Sequence, residues 1–129
     1  MVYQFQRHYS VVEARAKLPE VAVWLTALRE ARGRLAAGDD RLAELMGDGM
    51  DLGGAEVVQH IANLADFRDA VRVFEIADIQ IKDIDRGLLD FPALLDGREV
   101  FLCWEEGEEG VIWWHDLETG YGGRQPLLD

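Results

Sequence analysis

Asp90, Glu108, His115 and Asp116 are acidic and imidazole groups embedded in the motifs of the densest stretch of this sequence, Gly87 to Leu127. They are donor types suited to a divalent metal or to proton transfer. Asp90, Glu108 and His115 form the candidate metal set, and the enzyme they would serve is a metal-dependent hydrolase with an Arg orienting an anionic substrate. Neither HExxH nor CxxC is present, so such a site exists only if the fold gathers distant residues. The plainer alternative makes His115 a strand-end residue bonded to backbone or Arg, and Asp90 a turn or helix cap before Phe91-Pro92.

Cys103 is a further candidate, as a ligand beside His115 or as a nucleophile with its base. In a hairpin closed by Glu106 to Glu109, Glu105 faces Gly110, so Cys103 faces Ile112 and Leu102 faces Trp113. That register puts Cys103 with Ile112 and Trp114 on one face and His115 with Trp113 on the other; a one-residue bulge reverses it. The reading favoured here is a small buried hydrophobe. Trp104, Trp113 and Trp114 offer large contact area at low entropic cost, and strand alternation sends Trp113 and Trp114 to opposite faces, so at least one covers a second surface. Arg98 and Arg124 are suited to grip a carboxylate or phosphate, or to pair internally with Asp90, Glu108 or Asp116. Gly120-Tyr121-Gly122-Gly123-Arg124 lacks the Lys-Ser/Thr of a P-loop and has no helix after it, which argues against nucleotide binding. Its glycines let Tyr121 and Arg124 fold back over the hairpin. Together Arg98, Trp104, Trp113, Trp114, Tyr121 and Arg124 are the candidate ligand-binding residues.

The elements that must position these groups fall into two parts. Ser10 and Glu13 have capping-box spacing, and Leu18, Val21, Leu25, Leu28, Arg32 and Leu35 then recur at three and four, predicting a helix to about residue 37. Pro19 predicts a kink or restart near Lys17, and Gly38-Asp39-Asp40 predicts a break before a short helix and the glycine-rich loop GDGMDLGG. Val57, Ile61, Leu64, Phe67, Val71 and Phe74 predict a second long helix over about 55–77. The period then changes to two: Ile79, Ile81 and Ile84 mark a strand, and EVFLCWEE and GVIWWHD mark two more joined at Gly107 and Gly110. The expected fold is α+β, one domain over 1–129, with a long antiparallel helical hairpin over about 10–77 and a small C-terminal antiparallel sheet over about 78–129. A partner chain would complete a four-helix bundle, so a homodimer is expected.

A chain of 129 residues with 49% hydrophobic content suffices for one core. Its formal charge of -12 repels phosphate backbones and anionic lipid, so nucleic acid and membrane are excluded as expected partners. The start MVYQFQRHYS lacks a basic region followed by an apolar run, and no stretch approaches a bilayer span. With one unpaired Cys, the expected location is the cytoplasm.

The segments GLLDFP, GREVFLCW, GE, WWHD and GYGGRQPL, with the N-terminal YSVVEARAKLPEV, resemble a prokaryotic family of uncharacterised proteins, domain of unknown function 2203, over nearly the whole chain. The resemblance implies a shared site in the C-terminal part and carries no activity with it. The leading expectation is a homo-oligomeric binding or interaction module with its site on the C-terminal hairpin and loop. The alternative is a divalent-metal protein or hydrolase using Asp90, Glu108 and His115. A third reading makes the C-terminal motifs a folding element that locks sheet to helices.

Overall fold

Ser10 and Glu13 close the predicted capping box: the Ser10 hydroxyl accepts from the Glu13 amide at 3.0 Å and the Glu13 carboxylate accepts from the Ser10 amide at 3.1 Å. Helix α1 (Val11–Gly47) starts there and runs for 37 residues. A computed structural model describes residues 2–49 and 53–127 of the chain. One expectation for α1 is narrowed and one is corrected. The helix shows no restart near Lys17, continuing through Pro19, and it does not break at Gly38-Asp39-Asp40. Gly38 serves close approach: a Cβ there would sit 3.1 Å from Asn63 Nδ2 on the second helix, so its missing side chain lets the two backbones meet. The expected glycine-rich loop falls partly on residues 50–52, outside the described residues.

Helix α2 (Gly54–Ile76) returns antiparallel to α1 and completes the hairpin. Its predicted stripe is only half used. Phe74 is buried and Phe67 and Val71 pack at the margin of the core, whereas Val57, Ile61 and Leu64 are 40%, 60% and 46% exposed.

Among the described residues, five strands follow as an antiparallel meander in chain order: β1 (Gln80–Asp83), β2 (Leu88–Leu95), β3 (Arg98–Glu105), β4 (Trp113–Asp116) and β5 (Gln125–Pro126). β2 was not foreseen, and Asp90 accordingly sits in a strand interior rather than at a turn or cap. Pro92 is tolerated there because β1 pairs only as far as Asp90. Beyond that point the chain before α1 takes over, with the Tyr9 amide donating to the Pro92 carbonyl at 2.7 Å. Asp96 and Gly97, at φ 53° and 78°, make the two-residue β2–β3 turn, the conformation that matches strand twist.

The sheet lays one face on the helices. Val21, Leu25, Leu28 and Phe74 from the hairpin meet Leu89, Phe91 and Leu102 from the sheet in one apolar cluster, each fully buried side chain contributing about 1.5–3 kcal/mol. Arg29 of α1 fastens the β1–β2 turn by donating to the carbonyls of Ile84 and Asp85 and pairing with Glu106. No helix among the described residues is long and apolar enough to cross a membrane.

Candidate metal centre on the outer face of the sheet

Alternation along β2 sends Leu89, Phe91 and Ala93 into the core, so Leu88, Asp90 and Pro92 face the other way. Cys103 lies across from Asp90 and Phe101 across from Pro92. On β4, Trp113 pairs with Cys103 and His115 with Phe101. Asp90, Cys103 and His115 thus share the outer face. This corrects the hairpin register inferred from sequence by one residue, and with it the separation of Cys103 from His115.

The cause lies in the connection. Residues 106–112 leave the ladder. Val111 drops into the core and its carbonyl accepts from Arg15 Nε of α1 at 3.1 Å. The Ile112 carbonyl accepts from the Leu127 amide at 2.8 Å. A tight turn would have kept Gly110 to Ile112 in the strand; the tertiary contacts of Val111 take them out of it.

The three side chains are 1%, 0% and 1% exposed. One ligand atom from each (a carboxylate oxygen, the thiol sulfur and a ring nitrogen) lies within 4.8 Å of the others. His115 Nε2 is 3.0 Å from Asp90 Oδ1. Donors at about 2.0–2.3 Å from a tetrahedral ion stand about 3.3–3.5 Å apart, so a pair at the 4.8 Å limit would close by about 1.3 Å and the Asp90–His115 pair would open by a few tenths of an ångström. The three form the floor of a cavity of about 240 Å³, walled by Lys82, Leu88 and Phe101 and by Leu117, Glu118, Gly120 and Tyr121 of the C-terminal loop.

His115 carries a proton count that bears on this geometry. Its Nδ1 is 2.7 Å from the Asp116 carbonyl, which only accepts, so Nδ1 carries the hydrogen. Nε2 faces a carboxylate oxygen as well. A neutral imidazole has one N–H and cannot donate to both; the contact needs either a second proton or a cation shared by Nε2 and Oδ1. A ring fixed through Nδ1 to a backbone carbonyl, with Nε2 turned to the site, is the arrangement of metal-binding histidines. Burial, and after it the charge of Asp90, pushes the Cys103 thiol up to about 12. A thiol held protonated is a poor nucleophile, and ligation would require a metal to displace its proton; the burial of Cys103 also fits the small buried hydrophobe favoured from the sequence.

Glu108, expected in the metal set, lies elsewhere. One carboxylate oxygen accepts from the Glu105 amide at 2.6 Å and the other pairs with Arg124 at 2.6 Å. It braces the β3–β4 connection, and the group found beside Asp90 and His115 is Cys103 instead. Arg124 is clamped between the rings of Trp113 and Tyr121, each 4.5 Å away. Tyr121 lines the cavity and donates to Glu105 at 3.2 Å. Arg98 pairs with Asp116 and lies over Trp114. Both arginines therefore follow the internal-pairing alternative. Trp104 is a core residue whose Nε1 donates to the Glu108 carbonyl at 3.3 Å, and Trp114 packs at the core margin. Lys82 was missed altogether. The signal that would have found β2 and the correct face of Asp90 was Asp96-Gly97 between two apolar runs.

The family model described as "Uncharacterized conserved protein (DUF2203)" matches residues 7–127. Neither the curated proteins nor the solved structures offer a match.

Proposed function

The chain belongs to this family of uncharacterized conserved proteins, domain of unknown function 2203, and from that premise we propose that it binds a divalent metal of the zinc class through Asp90, Cys103 and His115. The observation that carries the reading is the convergence of three buried donors of different type at the floor of one cavity. A thiolate and an imidazole favour zinc over magnesium or calcium, whose sites are built from oxygen. Three protein ligands with the remaining position facing a cavity is the layout of catalytic zinc, in which bound water reaches a pKa of about 7. The reaction class this serves is hydrolysis. A site that needs a free thiol suits the reducing cytoplasm, the location we propose.

Metal content of the untagged protein, beside Cys103→Ser and Asp90→Asn, tests the reading. The expected result is about one zinc per chain, lost in both variants, with zinc at about 100 times its Kd stabilising the wild type by about 2.7 kcal/mol. A metal-free wild type that takes up no zinc on titration, and whose melting zinc does not move, would overturn it.

A second reading, self-association, rests on a separate observation. Val57, Ile61 and Leu64 lie at helical spacing on one exposed face of α2, and a second copy is the occupant that the homodimer expectation assigns to that face.

A further inference from the structure

We propose, resting on the metal reading above, that the cavity over Asp90, Cys103 and His115 takes a small monoanionic carboxylate that bridges the ion and the Lys82 ammonium. Lys82 is exposed on β1 and lines the cavity together with the three donors. Ile81 pairs with core-facing Leu89, so strand alternation turns Lys82 to the outer face. The two arginines that stack on Tyr121, Arg86 and Arg124, are each tied to a carboxylate, Glu105 and Glu108. The Lys82 Nζ instead lies 5.2 Å from the centre of the Phe101 ring, and among the described residues it makes no ion pair. A cation left without a carboxylate in a chain of net charge -12 is available to an anionic ligand.

Charge and size narrow the class. A dipositive ion held by one thiolate, one carboxylate and a neutral imidazole is neutral overall, so the rim decides the ligand charge. Lys82 supplies one positive charge there and Glu118, also in the lining, one negative. A monoanion bound at the metal and Lys82 is accommodated; a phosphate dianion brings a second charge towards Glu118. About 240 Å³ is below the roughly 300–1,000 Å³ of drug-sized pockets, which restricts the ligand to a small molecule or the carboxylate end of a larger one.

Cobalt-loaded protein, titrated with acetate and with phosphate and followed by its visible spectrum, separates the two layers of the argument. Acetate should perturb the cobalt bands at lower concentration than phosphate. Lys82→Met should raise the acetate half-saturation about tenfold, as the loss of one charge-assisted hydrogen bond implies, while Lys82→Arg restores much of it. Bands unmoved by acetate, moved at lower concentration by phosphate, or moved equally in Lys82→Met would overturn the carboxylate proposal while the metal reading stands. A protein that takes up no cobalt or zinc would overturn the metal reading itself. Lys82 is exposed and outside the core, so its variants should fold and load metal like the wild type.

Discussion

Glu99 shows how one residue ties a terminal segment to the sheet. It accepts from the amides of Gln4 and Phe5 at 2.8 and 3.0 Å and meets His8 Nε2 at 2.7 Å. Burial pushes its carboxyl pKa up, but the hydrogen bonds from His8, Phe5 and Gln4 together outweigh that and hold it below the usual range. A carboxyl whose pKa is depressed in the folded state contributes stability that is present above its unfolded value, about 4.3, and lost as pH falls through the folded value. Acidification below about pH 4 should therefore release residues 4–8, and Glu99→Gln should do so at neutral pH. Hydrogen exchange at the Gln4 and Phe5 amides reads this directly; protection unchanged in the variant would contradict it. Cys103 makes a second prediction at this scale. Buried, with its thiol pushed up to about 12, it should react with an aromatic disulfide reagent at pH 8 orders of magnitude more slowly in the native protein than in urea. Equal rates would mean that the outer face is open.

Turn chemistry decides how the sheet is threaded at the scale of elements. Gly87 ends the β1–β2 turn at φ 66°, and a Cβ there would lie 2.6 Å from the Glu106 Cβ. Gly97, at φ 78° in the β2–β3 turn, has nothing within 4 Å of that position. Gly87→Ala meets backbone strain and a collision at once, whereas Gly97→Ala meets strain alone. The first should cost on the order of 2–3 kcal/mol and the second about 1 kcal/mol. Urea unfolding would check both: a lower midpoint at unchanged slope is expected for each, and equal midpoints would refute the collision. The helices obey a similar local logic. The capping box was legible because its two hydrogen bonds lie within four residues. The continuation of α1 through Gly38 was not, because the reason for a glycine there sits on α2.

For the whole molecule, the open question is what meets the distal half of α2. The sheet packs against the part of the hairpin around Leu25, Leu28 and Phe74, while Val57, Ile61 and Leu64 stay exposed. If a second copy covers them, native mass spectrometry at micromolar concentration should give a dimer, and Ile61→Glu should give a folded monomer with its metal content unchanged. A wild-type monomer would remove the self-association reading without touching the metal centre.

The helical hairpin, the strands β1, β3 and β4 and the membership of the family were legible in the sequence, because periodicity, caps and motif strings are local properties of the chain, whereas β2 and β5 were not foreseen. His115 and Asp90 could be named as candidates by residue type for the same reason. Their partnership could not. In a strand a shift of one residue turns every side chain to the opposite face, and the shift that brings His115 to the face shared by Cys103 and Asp90 is set by Val111, buried in the core, with its carbonyl bound to Arg15 on the first helix. That contact spans 96 residues. Only the tertiary structure decided it, and with it which three side chains meet and that Glu108 braces a loop instead.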